Sequence, residues 1–464
     1  MKTWDKWMFL LVIFAGMLGG CKDDPIEDEV VEAPEVTQKV NKFIQVVMEK
    51  QYLWYKEMPV IDIRYEFDSK EYFKKLLFSE DKWSSITSDA QKTSNSLVGK
   101  EVTFGYSLVR GRFTNTQNYF AIVEYVYPGS PADVAGLTRG DFIVQIDGQS
   151  ITDSNLRKLT DAENLTITTG IYSPSGISPG NTVSMTSREM DLDPVLIYKT
   201  IETEGHTIGY LFYAHFITDY NSSLQQAFQF FKDKNITDLV VDLRYNPGGY
   251  ITAAQFLCSS IAPMSVSYGT TLITLLYNDK NVSLMWPFFF QSQTVKPVRL
   301  GMNKVYFLTG QGSASASELT ITGLDPYMNV VTVGDTTYGK YTASLFYTPD
   351  SVYTDKNYTK NIANWGIMPI RARYANAVGV TDFKNGFAPD FYVNEYAAEN
   401  LPFMPLGDPN EPLLKETIAD ITGIPVLATK KAVSHFPFTI VDRGFSKYDA
   451  SKRNLMIDGF DQVN

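Results

Sequence analysis

Apolar positions follow two different spacings along the chain, and the change between them divides it into regions. Near the start, Val40, Ile44 and Val47 recur three or four residues apart, which predicts amphipathic helices. We therefore expect a small domain of two or three helices over 36–95. Its polar end, at 84–96, is typical of a linker.

Residues 96–190 change to a β-rich pattern. Apolar runs at 120–126 and 142–146 predict two strands. Between them, a Gly-Ser-Pro-Ala segment begins a short helix that ends at Gly136, and a Gly-Leu-Thr-Arg-Gly-Asp turn follows. An Asp-Gly pair closes the second strand, as at the end of a hairpin.

From 191 to 424, nearly unbroken apolar runs alternate with helical spacing. Runs such as 239–243 and 305–308 are typical of strands that are buried on both faces. This alternation predicts an α/β core in which helices cover a sheet. The aromatic stretch 286–290 predicts an inserted flap or wall, whereas the extension 425–464 yields no assignment.

Composition narrows the classes of function. The 464 residues are 44% hydrophobic and 20% charged, which is ordinary for a globular chain of several domains. Lys and Arg number 41 against 52 Asp and Glu, for a net charge of −11. Binding to nucleic acid relies on basic side chains that neutralise phosphates, so we expect no nucleic-acid partner. Because no His/Cys/Asp cluster has ligand spacing, we expect no metal and no other cofactor.

The first residues carry the features of an export signal. Two lysines precede an apolar run at 7–18 that is too short to cross a membrane comfortably, and Gly-Gly-Cys21 follows. Small residues before a cysteine resemble the lipobox of bacterial lipoproteins. The resemblance implies removal of the signal peptide 1–20 and lipidation of Cys21. The alternative is a buried amphipathic helix at the N-terminus.

Residues 21–35 would then form a solvated tether, because their acidic start has too few apolar side chains to pack a core. The Lys-Asp-Asp that follows Cys21 also resembles the surface-export signal of Bacteroidetes lipoproteins. We therefore expect a bacterial outer-membrane lipoprotein, periplasmic or surface-exposed, that is held at the lipid bilayer through Cys21.

Three later segments contain the residue types of a hydrolase. They are Asp-Leu-Arg-Tyr-Asn-Pro-Gly-Gly at 242–249, Gly-Ser-Ala-Ser-Ala-Ser-Glu at 312–318 and Gly-Asp-Thr-Thr-Tyr-Gly-Lys at 334–340. Alone, each segment has a simpler interpretation. The glycine pair suits a tight turn, the second segment contains a capping box, and a lysine is usually a surface charge.

Together, the segments satisfy one chemical requirement. A serine hydroxyl is a weak nucleophile and needs an adjacent base. None of the three histidines, His206, His215 and His435, lies in a recognisable nucleophile or base motif. A lysine can act instead if burial lowers its pKa toward ~7–8. A helix that begins after Ser315 would also direct its N–H groups at a developing oxyanion.

The order of strands and turns over 96–190 resembles a PDZ domain. Such domains add an extended peptide to a sheet edge and hold its terminal carboxylate in a backbone loop. The residues at the position of that loop are Phe104, Gly105, Tyr106, Ser107 and Leu108. The alternative is a generic β-barrel without a peptide groove.

The three hydrolase segments resemble the motifs of the C-terminal-processing (tail-specific) serine peptidases, which join a PDZ domain to a Ser-Lys core. The resemblance extends over about 36–424. It implies Ser315 as nucleophile, Lys340 as base, the N–H groups of Ala316 and of Gly248 or Gly249 as oxyanion donors, and Glu318 and Thr337 as supporting residues. The implied fold class is α+β multidomain, with a small N-terminal helical domain, a PDZ-like β domain and an α/β peptidase core of the crotonase-like ββα spiral type.

Two positions depart from that family. Many members carry Gln four residues after the lysine, where this chain has Ser344. Some carry Asp eleven residues after the serine, where this chain has Pro326 beside Asp325. A hydroxyl at Ser344 can still accept a hydrogen bond from the amine, although it reaches less far than a Gln side chain. The third member of the site is therefore less well defined than the Ser-Lys pair.

The sequence favours a lipid-anchored serine endopeptidase that cleaves unfolded or C-terminal polypeptide segments through an acyl-enzyme. A catalytically inactive peptide- or ligand-binding lipoprotein with a peptidase-like fold is the second hypothesis. A Ser-His hydrolase that uses His215 is the third. It is the weakest of the three, because none of the three hydrolase segments contains a Gly-x-Ser-x-Gly nucleophile elbow.

Overall fold

A computed structural model describes residues 31–116, 118–173, 175–285, 287–291, 298–426, 438–442 and 455–456. The predicted signal peptide, Cys21 and most of the tether lie outside the described residues. Within the described ranges, no helix is both long enough and apolar enough to cross a membrane.

The N-terminal domain is built from helices, as predicted. Its elements are α1 (Glu35–Gln51), α2 (Ser69–Leu76), β1 (Ser85–Thr87) and α3 (Ala90–Leu97). The apolar face of α1 is fully buried, and residues such as Ile44 and Val47 pack against Tyr72 and Phe73 of α2. This burial fixes the helices, because an amphipathic helix gains most of its stability from tertiary packing.

The prediction of a linker at 84–96 is wrong. Strand β1 pairs antiparallel with β18 (Gly366–Met368) of the α/β core, and α3 follows. Polar composition suggested a linker, but the β1 ladder uses backbone N–H and C=O groups, which every residue except proline supplies in full. The segment is therefore regular secondary structure that pairs with the core, and it is not an unstructured linker.

The second domain is built from antiparallel strands. They are β2 (Lys100–Thr103), β3 (Tyr106–Phe113), β4 (Tyr119–Val126), β5 (Phe142–Ile146), β6 (Gln149–Ser150), β7 (Asn164–Ser173), β8 (Gly176–Thr186) and β9 (Arg188–Asp191). Strands β3 to β8 belong to one sheet, whereas β2 and β9 pair with each other in a separate two-stranded sheet. The short helices α4 (Pro131–Val134) and α5 (Lys158–Asp161) complete it. The two strands predicted around the glycine-rich turn are confirmed as β4 and β5, which pair antiparallel.

The core contains a six-stranded sheet in the order β10-β11-β12-β15-β16-β20. These strands are β10 (Val195–Thr203), β11 (His206–Tyr213), β12 (Asp238–Asp242), β15 (Lys304–Thr309), β16 (Asn329–Gly334) and β20 (Phe391–Tyr392). The pairs from β11 through β20 are parallel, and β10 is antiparallel to β11. The helices of the core are α6 (Asn221–Asp233), α7 (Ile251–Ile261), α8 (Ala316–Leu324), α9 (Pro349–Val352), α10 (Lys356–Thr359) and α11 (Pro412–Thr422).

A second sheet in the core has the order β14-β13-β19-β17-β22. Its strands are β13 (Thr271–Tyr277), β14 (Pro287–Phe289), β17 (Thr342–Ser344), β19 (Ile370–Asn376) and β22 (Leu455–Met456). The aromatic stretch predicted as a flap or wall supplies β14, which pairs antiparallel with β13. These residues therefore form an edge strand of the sheet, and their role as a flap or wall stays a prediction.

The C-terminal extension, which the sequence left unassigned, contributes strands to two different sheets. Strand β21 (Phe438–Asp442) pairs antiparallel with β3 of the second domain. Strand β22 pairs in parallel with β17 of the core.

The three hydrolase segments follow neighbouring parallel strands. Asp242 at the end of β12 lies beside Leu308 of β15, and Leu308 lies beside Val333 of β16. Because parallel strands share one carboxyl edge, the segments at 242–249, 310–318 and 334–340 all leave the sheet from the same side. Residues at this edge of an α/β sheet commonly form a binding crevice.

A buried ionic cluster lies at the start of the first of these segments. The Arg244 guanidinium donates to Asp242 Oδ1 at 2.9 Å and to Glu411 Oε1 at 2.6 Å. It also donates to Glu395 at 3.0 Å, and Arg139 of the second domain donates to the same carboxylate at 2.5 Å. The cluster therefore ties the second domain, the end of β12 and the start of α11 together.

Replacing Arg244 by Ala should destabilise the chain severely, because it leaves buried carboxylates without their cation. Removal of one partner from a buried ion pair costs about 3–5 kcal/mol. Urea denaturation should therefore show a large fall in the midpoint for Arg244→Ala. The control is Arg373→Ala, because Arg373 pairs with Asp382 at the surface. Equal midpoints for the two variants would contradict this account of the cluster.

Candidate active site

Ser315 lies immediately before α8 in an unusual backbone conformation. Its φ is 63° and its ψ is −111°, in a region that residues other than glycine rarely adopt. Strain of this kind is maintained at functional sites by the surrounding structure. The side chain is fully buried, and its hydroxyl has no hydrogen-bond partner among the described residues. Of the predicted capping box, the hydrogen bond from Ser315 N–H to the Glu318 carboxylate measures 2.9 Å.

The glycine pair packs directly against this serine. A Cβ on Gly248 would lie 2.6 Å from Ser315 Cβ and 2.9 Å from Ala316 N. A Cβ on Gly249 would lie 2.0 Å from Phe216 O. Both glycines also have positive φ, at 109° and 134°. Side chains are therefore excluded at both positions, and the loop after β12 approaches Ser315 through its backbone.

The three predicted oxyanion donors differ in what they already bind. Ala316 N–H is the first amide of α8, and such amides have no partner within their own helix. Gly248 N–H donates to Asn246 Oδ1 at 2.9 Å, so an oxyanion would compete with this amide oxygen. The pairing with Phe216 uses Gly248 O and Tyr250 N–H, which leaves Gly249 N–H outside that ladder.

Glu318 accepts hydrogen bonds from both of the segments that are predicted to be catalytic. Its Oε2 accepts from Ser315 N–H at 2.9 Å and from Lys340 N–H at 2.8 Å. Its Oε1 accepts from Thr337 Oγ1 at 2.7 Å and from Gly339 N–H at 2.5 Å. One carboxylate thereby fixes the backbone of the predicted nucleophile to the backbone of the predicted base.

The carboxylate of Glu318 is fully buried. Burial raises its pKa above the usual value for a glutamate, and the hydrogen bonds from Thr337 and from the Ser315, Gly339 and Lys340 amides oppose that rise. Acidification should therefore protonate Glu318 before it protonates exposed glutamates.

Lys340 is also fully buried, at the entry to β17. Tyr374 of β19 joins it to the serine from a second direction, because the phenol lies 3.0 Å from Ser315 O and 3.2 Å from Lys340 O. Burial raises the pKa of Tyr374 well above its ordinary value, so the hydroxyl remains a donor. Tyr374 was missed by the sequence analysis, since it lies 59 residues from Ser315 and in no motif.

Asn246 is a second residue whose role was missed, although it lies within a quoted motif. Its Nδ2 donates to Tyr213 O at 2.9 Å, which anchors the glycine loop to β11. Its carbonyl accepts from Ala314 N–H at 3.2 Å and from Ser317 Oγ at 2.9 Å. Asn246 therefore binds the glycine loop to the serine segment.

Ser344 lies fully buried at the end of β17, four residues after Lys340. The ladder between β17 and β19 is irregular between Ala343 and Ser344. Side chains alternate only along a regular strand, so the distance in sequence from Lys340 does not determine where this hydroxyl points. The role of Ser344 as a third member of the site stays a prediction.

Neither of the two described histidines makes a hydrogen bond to the serine hydroxyl. His206 Nδ1 lies 2.7 Å from Asp238 Oδ2, at the opposite end of β11 and β12 from the glycine loop. His215 lines a cavity with Pro247, but Ser315 Oγ makes no hydrogen bond to it. His435 lies outside the described residues.

The predicted peptide loop of the second domain is tightly built. Phe104 is buried, and a Cβ on Gly105 would lie 2.2 Å from Ser130 Cβ. Tyr106 donates its hydroxyl to Leu159 O at 2.6 Å. In the same loop, Ser107 Oγ donates to Glu124 Oε2 at 2.6 Å, and Leu108 follows at a register shift in β3. These side chains make contacts within the domain itself, so a peptide would be recognised through the backbone of the loop.

Replacing Glu318 by Ala should lower the stability of the folded core. Each buried donor that loses its acceptor costs about 1–3 kcal/mol, and this substitution deprives four donors of theirs. The urea midpoint should fall sharply. Glu80→Ala is a matched control, since Glu80 makes only an exposed pair with Lys384 and its loss should leave the midpoint unchanged. A similar midpoint in both variants would mean that Glu318 does not join the two segments.

Comparison with known proteins supplies family matches for all three domains. Residues 39–85 match the peptidase S41 N-terminal domain, 122–168 match the PDZ domain, and 207–393 match peptidase family S41. The chain is similar to the carboxy-terminal processing protease CtpB of Bacillus subtilis, with 27% identity over 48% of this chain and 44% of that protein. It is also similar to a carboxyl-terminal-processing protease of Picosynechococcus, with 27% identity over 52% of this chain and 58% of that protein.

The alignments thus span about half the length of these curated relatives. A crystal structure of an S41 protease from Bacteroides fragilis superposes with a TM-score of 0.71 and 29% identity, over 83% of this chain and 98% of that chain. The predicted fold class is confirmed at the level of an N-terminal domain, a PDZ domain and an S41 protease core. The chain is therefore a member of peptidase family S41, with an S41 N-terminal domain and a PDZ domain before its peptidase core.

Proposed function

We propose that this protein is a serine endopeptidase in which Ser315 is the nucleophile and Lys340 is the base. The observation that carries the proposal is the double attachment of the two residues through Glu318 and Tyr374. Such attachment holds two groups from separate segments in one place, as nucleophilic catalysis by a serine and its base requires.

The proposed reaction begins with proton transfer from Ser315 Oγ to the neutral amine of Lys340. The serine oxygen attacks the scissile carbonyl carbon, and the new oxyanion accepts hydrogen bonds from Ala316 N–H and from the glycine loop. The C–N bond then breaks, and Lys340 returns the proton to the departing amine. Water hydrolyses the acyl-enzyme by the same steps in reverse and restores Ser315.

Burial of the site supports this chemistry. Desolvation disfavours a charged ammonium, so the fully buried Lys340 is suited to exist as the neutral base. The unpartnered hydroxyl of Ser315 is compatible with the role, because catalytic hydrogen bonds often form only when substrate is bound.

We further propose that the substrates are unfolded or C-terminal polypeptide segments presented by the PDZ domain. Residues 104–108 would hold the peptide terminus, and the buried cluster around Arg139 connects this domain to the loop before the glycine pair. Lipidation of Cys21 would place the enzyme at the lipid bilayer of the bacterial envelope, as an outer-membrane lipoprotein.

A second candidate function is capture of peptides without turnover. It is favoured by Ser344 at the position where many relatives carry Gln. In that case, the site would hold a polypeptide and release it uncleaved.

Ser315→Ala should abolish cleavage of an unfolded protein such as casein while leaving the circular dichroism spectrum unchanged. Lys340→Ala should also abolish cleavage, because the serine then lacks its base. His215→Ala is the control and should retain activity, since His215 makes no hydrogen bond to the Ser315 hydroxyl. Unchanged cleavage by Ser315→Ala, or loss of cleavage in His215→Ala alone, would refute the assignment. If the protein without substitutions leaves casein uncut, the result would favour the capture function.

The pH dependence of cleavage should report the lysine. Activity requires the deprotonated amine, so kcat/KM should rise with pH as the proton is lost. Since Lys340 is buried, the apparent pKa of this rise should lie well below the ~10.4 of an exposed lysine. Initial rates measured between acid and alkaline pH with one short peptide would show it. A rise centred near the value for exposed lysine would contradict the proposal.

A further inference from the structure

The C-terminal strand β21 occupies the outer edge of the PDZ sheet. The sheet order is β21-β3-β4-β5-β7-β8, so β3 would be an edge strand without it. Phe438 lies opposite Phe113, and Asp442 lies opposite Arg110. An edge strand that carries unpaired N–H and C=O groups is the site at which an extended peptide can be added.

The direction of β21 is that of a bound peptide. The strand is antiparallel to β3, and it runs from the end of β3 back toward the loop at 104–108. A peptide whose C-terminal carboxylate sits in that loop would run along β3 in the same direction. The extension therefore lies on the edge to which a peptide ligand would be added and has the same polarity. It pairs with Arg110–Phe113, in the half of β3 that is farther from the loop.

Side chains of β21 alternate as they would in a ligand. Phe438 and Ile440 face the domain and are half-buried, whereas Thr439 and Val441 are exposed. The Phe438 ring meets Phe120 edge-on, with 5.5 Å between the ring centroids. The apolar cluster beneath consists of Val109, Phe120, Ile122, Phe142, Leu401 and Phe403. This surface fits an aromatic side chain followed two residues later by an aliphatic one.

The contact is small enough to exchange. It comprises four residue pairs, with a register shift between Ile440 and Asp442. A short added strand with two half-buried anchors is held weakly, and it persists mainly because the same chain supplies it at high effective concentration. A second contact of the extension, β22, pairs with Ala343 and Ser344 just beyond Lys340.

We propose that β21 is an intramolecular ligand of the PDZ domain, which an incoming polypeptide must displace from the β3 edge. The partner that fits this edge is an extended, unfolded segment with an aromatic and an aliphatic side chain two residues apart. The inference rests on the proposed function in one respect, since it takes the β3 edge to be the edge that receives substrate. The extension then lowers the affinity of the domain for substrate by competing with it.

The test measures binding in the full chain carrying Ser315→Ala, so that no peptide is cleaved. The probe is a fluorescein-labelled synthetic peptide with the sequence of residues 437–443, and fluorescence anisotropy gives its Kd. Ile440→Asp should weaken the internal strand and thereby tighten peptide binding. If the edge is vacant for a tenth of the time in the parent, the gain approaches about tenfold, because apparent affinity scales with the competent fraction.

Thr439→Asp is the matched control, since it adds the same charge on the exposed face of the same strand. Its Kd should stay within about twofold of that of the parent, because a change on the exposed face should leave the fraction of molecules with a vacant edge nearly unchanged. Equal Kd values for all three proteins, equal tightening in both variants, or no binding to any of them would overturn the inference. Near-UV circular dichroism verifies that each variant is folded. If Ile440→Asp unfolds, Phe438→Ser is measured in its place, with Val441→Ser as the control.

The result is independent of catalysis. Tighter binding by Ile440→Asp together with an inactive Ser315-containing parent would refute the proposed peptidase function and leave the internal ligand standing. An active parent whose peptide affinity does not respond to Ile440→Asp would refute the internal ligand alone.

Discussion

The buried carboxylate of Glu318 is the constraint on which the candidate site depends. Ser315 and Lys340 come from segments that follow two different strands, and neither segment alone could fix the other. Glu318 accepts a backbone N–H from each, and Tyr374 donates toward a backbone carbonyl of each. The site is thus assembled through main-chain groups of the two predicted catalytic residues. An acid that is this deeply buried is stable only because several donors meet it.

The parallel sheet explains why these segments meet. Strands β12, β15 and β16 are neighbours in register, and their carboxyl ends deliver the glycine loop, the serine and the lysine to one edge. Asn246 then links the first two segments, because its backbone carbonyl accepts hydrogen bonds from Ala314 N–H and from Ser317 Oγ. The geometry of the site is therefore a consequence of strand order. The buried Arg244 cluster links the end of β12 to the PDZ domain, because Arg244 and Arg139 donate to the same carboxylate.

Much of this organisation could be predicted from the sequence, because it is local. Apolar runs indicated the buried strands, and the motif residues Gly248, Ser315 and Glu318 do lie together. The rest depends on contacts between distant residues. Tyr374 belongs to no motif. Strand β1 is polar, and its backbone partners in β18 lie at least 279 residues away along the chain. The extension at 438–442 pairs with β3, which is more than 300 residues away along the chain.

The most direct test of the central claim is chemical labelling of the nucleophile. The intact chain would be treated with a serine-directed acylating probe, and mass spectrometry would locate the adduct. The account predicts a single adduct on Ser315 that is lost when Lys340 is replaced by Ala. An adduct on another residue, or labelling of Ser315 that persists at full rate without Lys340, would contradict it.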